Sequence, residues 1–324
     1  MATVNWSFWK ELAEDSNYKV KIIDIGAAEM QDVLPSYQKL IELGVADIIG
    51  FEPNSEACEA LNKKSENSSL YLPYFIGDGR SAIFYETNWA PTSSLYPPNK
   101  ELLEIFHNLY ELTTVVKEHQ VQTKRLDEIV EIDRVDFIKM DIQGSELKVL
   151  QNGVNVLNTA VLIQVEVEFV EMYKGQPLFS DVDSFLRSQG FQFHCFDGGV
   201  AGRPFKPLMI NNDPNRPFNQ ALWADAYYVK DWMNLKVLSR KQLISYAVLT
   251  YLLLGSTDLT HVILTHLDQV YHSSFSKKFL KILINNFTFV ASSKYYFLET
   301  IKMKMINNMF QDWFTTYLNH RFWN

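Results

Sequence analysis

From Val20 onward, short apolar runs alternate with segments whose apolar residues return at helical spacing. VKIIDIG (20–26) predicts a strand, DVLPSYQKLIELG (32–44) a helix stopped by Gly44, and ADIIGFEP (46–53) a second strand closed by Pro53. NSEACEALNKKSE (54–66) follows as a helix with Asn54 as its N-cap, and LYLPYFIG (70–77) as a third strand. GDGR (77–80) predicts a hairpin joining that strand to SAIFYET (81–87). NWAPTSSLYPPN (88–99) has the composition of an exposed loop, KELLEIFHNLYEL (100–112) the spacing of a helix, and 116–130 that of a strand running into a short helix.

The rhythm then resumes. A strand at 135–144 leads into a helix at 145–153, with Ser145 as its cap and Gly153 as its end. A strand at 160–170, a helix at 180–190 and a strand at 191–196 follow. ALWADAYYVKD (221–231) is the last strand, reached through a Pro/Asn/Gly-rich excursion at 197–219. Strand–helix–strand alternation at this spacing predicts right-handed βαβ units and an α/β fold built on a parallel sheet. After Asp231 the alternation stops, and the remainder is helical in pattern, basic and rich in aromatics. The pattern divides the chain into a sheet-forming domain, 1–231, and a helical extension, 232–324. The most hydrophobic run, LISYAVLTYLLLG (243–255), is shorter than the roughly 20 residues a membrane span needs, and predicts a buried helix.

Composition and charge refine this picture. At 324 residues and 47% hydrophobic, the chain can bury a full core. Only Cys58 and Cys195 occur, far apart, which argues against a disulfide framework or a structural zinc site and for a reducing compartment. The first residues have neither the basic nor the apolar region of a signal peptide, so a cytoplasmic location is expected. Residues 1–231 hold 34 acidic and 20 basic side chains, and residues 232–324 hold 4 and 10. The acidic front argues against nucleic acid as substrate. The basic tail could mediate an oligomer or carrier contact, dock on a membrane surface, or simply pack over one end of the sheet.

In open parallel sheets, ligands bind outside the carboxyl ends of the strands. Those ends carry Asp24-Ile25-Gly26-Ala27-Ala28, Gly50-Phe51-Glu52-Pro53, Asp141-Ile142-Gln143-Gly144, Glu166 with Glu168, and His194. Gly26 lets a ligand approach the backbone, and Glu52 lies 26 residues on, near the spacing at which an acid meets a ribose diol. The second and third glycines of a dinucleotide fingerprint are absent, which disfavours NAD and FAD. A cofactor with a ribose and no phosphate, such as S-adenosylmethionine, fits better. Gln164, Glu166 and Glu168 share one face of a strand that should be buried on both sides, so their acids need partners. Asp141 with Glu166 or Glu168 has the charge to hold a magnesium ion, but no spacing motif supports one and no metal is expected.

Four blocks carry a family resemblance: IIDIGAAEM (22–30), IIGFEPNSEACEALN (48–62), DFIKMDIQGSELKVLQNG (136–153) and VEVEFVEMYKGQPLFSDVDSFLRSQGF (165–191). With these the chain resembles the FkbM-type S-adenosylmethionine-dependent methyltransferases over about residues 20–231. Glu29 and Met30 depart from the family's usual residues after the first glycine. The resemblance implies a class I methyltransferase fold, a seven-stranded Rossmann-like sheet with an antiparallel last strand. It also implies O-methylation of a hydroxyl on a saccharide or secondary metabolite. The expected cofactor contacts are Asp24, Gly26, Ala27, Ala28, Glu52, Pro53, Asp78 and Asp141, although Asp78 suits a turn better than an adenine contact. Asp141, His194 and Glu166 are the candidate bases, with a cap and a core histidine as the structural alternatives for the first two. Tyr173, Lys174 and Gln176 are the candidate acceptor contacts. The rival reading is a non-catalytic Rossmann-like binding module that docks partners through its tail.

Overall fold

The computed structural model describes residues 6–27, 34–64 and 69–286. Ala28, Glu29 and Met30 lie outside the described residues, as does the tail beyond residue 286. The strands are β1 (Val20–Ile25), β2 (Ala46–Phe51), β3 (Ser69–Leu72), β4 (Phe75–Ile76), β5 (Ser81–Thr87), β6 (Val115–Lys124), β7 (Phe137–Met140), β8 (Leu162–Glu168), β9 (Phe191–Ala201) and β10 (Trp223–Lys230). The helices before the last strand are α1 (Trp6–Ala13), α2 (Gln38–Glu42), α3 (Ser55–Lys64), α4 (Lys100–Leu103), α5 (Leu109–Leu112), α6 (Glu146–Gln151), α7 (Val154–Leu157) and α8 (Phe179–Ser188). Those after it are α9 (Arg240–Leu252), α10 (Thr257–Tyr271) and α11 (Phe275–Asn286).

Seven strands form the main sheet in the order β3-β2-β1-β7-β8-β10-β9. Neighbours from β3 to β8 are parallel, and β10 runs antiparallel to both β8 and β9. This is the class I methyltransferase topology, in which the strand that is last in the chain inserts antiparallel beside the edge. β1, β7 and β8 lie inside the sheet and are covered on both faces, so they read as nearly continuous hydrophobic runs. Ile23, Ile25, Ile138, Met140, Ile163 and Val165 meet in one core cluster. At the start of α3, the Asn54 carboxamide oxygen accepts the Ala57 N–H at 2.9 Å, the expected cap.

The region between β3 and β7 departs from expectation. The 70–77 run is two strands, because Pro73 removes a ladder donor and β4 leaves the main sheet. β4 and β5 do not form a hairpin with each other. Both pair with the ten-residue β6, in a second sheet of order β4-β6-β5. The Asp-Gly turn does reverse the chain, but across two strand spacings of about 4.8 Å each. The helix expected over 100–112 breaks into α4 and α5, with Asn108 between them in the left-handed region at φ 62°.

No strand follows Lys230 among the described residues. α9 opens with a capping box in which Ser239 and Gln242 each accept the other's backbone N–H. Its residues Leu243–Thr250 are all buried, the signature of a core helix. It sits at the amino ends of the parallel strands: the Tyr246 hydroxyl donates to the Lys230 carbonyl at 2.6 Å, and Ser245 pairs with Tyr18 at 2.8 Å. Trp9 of α1 is fully buried and stacks near Tyr251. α9 and α10 belong to the same compact unit as the sheet, which runs to Ile282. A second unit begins at Leu283, and only the last turn of α11 is described in it. Among the described residues no helix is long and apolar enough to cross a membrane.

Candidate active site

The carboxyl ends of β1 and β2 build one half of the site. Gly26 adopts φ +83°, and a Cβ there would lie 2.2 Å from the Asp141 carbonyl oxygen. The strand therefore breaks at glycine because the backbone after β7 presses against it. The N–H groups of Gly26 and Ala27 both reach the Phe51 carbonyl, which ties the turn to β2. Asp24 is buried and already engaged. It accepts from the Tyr37 hydroxyl at 2.6 Å and from the Lys139 ammonium at 3.3 Å. Burial opposes the Lys139 charge, but Asp24 and Asp141 outweigh it and hold the ammonium above its usual pKa.

Glu52 differs from Asp24. Its Oε1 accepts the Asn54 N–H at 2.7 Å, while its Oε2 has no hydrogen-bond partner among the described residues. Burial pushes its pKa up, since only one backbone donor offsets the desolvation. A nearly buried carboxylate with an open acceptor at the end of β2 suits a vicinal diol, so the residues present fit a nucleoside. Pro53 follows it at the loop start. Asp78 lies in the loop after β4, where its carboxylate accepts the Arg80 N–H at 3.0 Å as an Asx turn.

The other half is the loop Asp141–Ser145 with the end of β8. Gln143, in the left-handed region at φ 56°, places its amide between two acids. It donates to Asp141 Oδ1 at 2.9 Å and to Glu166 Oε2 at 2.6 Å. Its side-chain oxygen accepts from the Tyr173 hydroxyl at 2.9 Å. Glu146 folds back to accept the Ile142 N–H at 2.8 Å, which shapes the loop. Burial pushes Glu146 up to about 7.

Strand register extends this acid group sideways. Glu166 pairs with Asp225 of β10, which pairs with Asp197 of β9. Burial, then Asp141, then Glu168 raise the Glu166 carboxyl well above its ordinary value. Asp225 is pushed up to about 6 by burial and then by Asp141. Glu168 is raised by burial and by Glu146. Among the described residues no three acids, histidines or cysteines are grouped to hold a metal ion. The Gln143 amide occupies the space between Asp141 and Glu166.

The segment expected as an exposed loop, 88–99, instead closes over this group. Ser94 is 1% exposed and donates to the Gln143 carbonyl at 2.6 Å. Asn99 bonds the Glu171 carbonyl at 2.8 Å, and the Lys174 N–H reaches the Pro97 carbonyl. Tyr173 and Gln176 are buried behind the acids and support Gln143 and the loop, whereas Lys174 is exposed. His194 stands three strands from Asp141, and its Nε2 meets the Ser256 hydroxyl at 2.6 Å. Burial lowers its pKa. The structure thus unites Asp141, Glu166, Tyr173 and Gln176 and leaves His194 and Asp78 apart. Reasoning from sequence missed Gln143, Ser94 and Asp225. Only Asp225 left a readable trace, as an acid inside the apolar run WADAYYV.

Residues 24–193, more than half of the chain, match the family model of the methyltransferase FkbM domain. The chain belongs to this family. FkbM methyltransferases use S-adenosylmethionine as methyl donor, and the fold agrees. No curated protein matches the chain. Among solved structures it is similar to magnesium protoporphyrin IX methyltransferase from Synechocystis PCC 6803 with bound SAM, at 9% identity over 69% of this chain and 77% of that one, TM-score 0.35. It is also similar to a protein of the NADB-Rossmann superfamily from Streptococcus agalactiae, at 13% identity, 83% and 99% coverage, and TM-score 0.31. The plantazolicin methyltransferase in complex with a desmethyl analog and SAH gives 13% identity, 69% and 81% coverage, and TM-score 0.31. Likeness this low adds nothing to the fold already read from the strand order.

Proposed function

We propose that this FkbM methyltransferase is an O-methyltransferase for a hydroxyl on a saccharide or secondary metabolite. The reading rests on one juxtaposition: Glu52, with an open carboxylate oxygen, ends β2, and the Asp141–Gln143–Glu166 group ends β7 and β8 of the same sheet. S-adenosylmethionine, when bound, supplies a methyl group on a sulfonium, which is already a good leaving group. Glu52 would accept from the ribose hydroxyls. Asp141 and Glu166 place carboxyl oxygens beside the strand ends where the sulfonium would sit.

A hydroxyl acceptor is a weak acid, so its proton must leave as the oxygen–carbon bond forms. Glu166 is the stronger candidate base. Once ionised, its carboxylate binds a proton more tightly than an ordinary one, and its Oε1 has no partner among the described residues. Asp141 lies on the other side of the Gln143 amide and is the second candidate. Tyr173 and Gln176 act from behind as positioning residues, and Lys174 is the exposed member of that loop that can reach an acceptor. Both cysteines are free thiols, which supports a reducing, cytoplasmic setting.

Calorimetric titration with S-adenosylhomocysteine tests the reading. Micromolar binding that Glu52→Ala weakens at least tenfold, about 1.4 kcal/mol, is the expected result. No binding by the folded wild type would turn the reading to a non-catalytic binding module.

A further inference from the structure

Between β9 and β10 the chain leaves the sheet at Gly202 and returns at Trp223. The two ends of this excursion are clamped together. A Cβ on Gly202 would lie 2.4 Å from the Gln220 carbonyl oxygen, so only glycine permits the closure. The clamp sets residues 203–205 beside 218–220. Between them is a cavity of about 340 Å³ lined by Arg203, Pro204, Phe205, Phe218, Asn219 and Gln220. Small-molecule sites are typically roughly 300–1,000 Å³.

Arg203 is its chemical anomaly. The guanidinium lies over the Trp223 ring at 4.9 Å, and Nη1 donates to the Gly202 carbonyl at 2.8 Å. Its Nε is buried and has no hydrogen-bond partner among the described residues. Asp213 acts on it through its charge without forming a hydrogen bond to it among the described residues. Arginine does not deprotonate in proteins, so the half-buried guanidinium keeps its charge, and its Nη2, which has no hydrogen-bond partner among the described residues and is not buried, is the donor an anion can meet. Its planar fork suits a carboxylate or a phosphate. Phe205 and Phe218 remain 48% and 53% exposed, giving the cavity apolar walls, and Phe205 is held against Phe106 at 4.5 Å. Asn219 and Gln220 add amides that can bond hydroxyls. Trp223, beneath Arg203, is the strand partner of Glu168, so the cavity borders the strand ends that carry the acids.

We propose that this cavity is an acceptor subsite for an acidic sugar, with Arg203 binding its carboxylate or phosphate and Phe205 and Phe218 packing on its ring. The proposal rests on the reading of those strand ends as the methyl-transfer site. It is tested on the full chain by saturation-transfer NMR with three probes: glucuronate, glucose-6-phosphate and glucose. Saturable millimolar binding of one or both anionic sugars, with glucose at least tenfold weaker, is expected. The two anionic probes distinguish a carboxylate from a phosphate. Arg203→Gln should lose at least tenfold in affinity for the anionic probe, Arg203→Lys should recover part of it, and both should bind S-adenosylhomocysteine as the wild type does. Equal binding of glucose, unchanged binding by Arg203→Gln, or no saturation by either anionic probe at tens of millimolar would overturn the subsite. Those results leave the methyl-transfer reading intact if S-adenosylhomocysteine binds. Failure of S-adenosylhomocysteine alone overturns that reading, and the sugar titration is then judged separately.

Discussion

At the scale of single residues, the site depends on contacts that exclude alternatives. Gly26 shows this best. The sequence makes it a place where a ligand approaches the backbone, and the structure adds that the backbone it must clear first is the protein's own. Gly26→Ala would combine an unfavourable φ of +83° with a Cβ 2.2 Å from the Asp141 carbonyl. The expected cost is about 2–4 kcal/mol, measured as a lower denaturation midpoint at unchanged m-value. An unchanged midpoint would mean that the turn relaxes freely. Glu52 was legible because an acid at that distance from Gly26 has few other reasons to sit at a strand end. Gln143 was not legible. Its role depends on a left-handed φ that aims its amide between two acids from different strands, and no local pattern encodes that.

At the scale of elements, β8 carries the largest electrostatic burden. Its alternation, QVEVE, places two carboxyl groups on a buried face, and Gln143 from the β7 loop donates to one of them, Glu166. Carboxyls raised by burial hold protons that the unfolded chain has already released. Glu146 moves from 4.5 to about 7, so its contribution to stability is present below pH 4.5 and lost as pH rises through 7. Asp225, raised to about 6, works in the same direction. His194 and His261, lowered from 6.5 by burial, work in the opposite direction below that value. The measurement is therefore a difference. Urea midpoints at pH 5 and pH 8 should fall for the wild type relative to Glu146→Gln, by an amount of order 1–3 kcal/mol. A wild type that gains stability relative to Glu146→Gln between pH 5 and pH 8 would contradict the burial argument. The small sheet teaches a related lesson. GDGR correctly announced a reversal, but β6, distant in sequence, took both neighbours.

At the scale of the whole molecule, α9 and the acid group occupy opposite ends of the sheet. α9 seals the amino ends of the parallel strands through Tyr246 and Ser245, while the acids stand at the carboxyl ends. A chain ending at Asp231 would expose the apolar surface that Leu243–Thr250 covers. It is expected to aggregate or to lose its cooperative transition, whereas Leu249→Ala in the full chain should fold with a loss of about 2–5 kcal/mol. Sedimentation and thermal melting check both. A monomeric, cooperatively folding chain ending at Asp231 would show that α9 is dispensable.

Periodicity determined the α/β class, the strand ends and the change of character at Asp231, because hydrophobic spacing is a local consequence of which faces are buried. Four blocks, MDIQGSELKVL the most specific, pointed to the family, and Glu52 to the position proposed for a diol-binding acid. The tertiary structure alone decided that Asp141, Gln143 and Glu166 form one group, that Tyr173 supports it from behind, and that His194 belongs to the edge strand β9, three strands away. It alone brought Ser94 over the acids and clamped Gly202 against Gln220. Most of these are meetings between residues tens of positions apart. Their free energy comes from burial and hydrogen bonding that exist only once the strands have chosen their neighbours, so no stretch of the chain can carry them by itself.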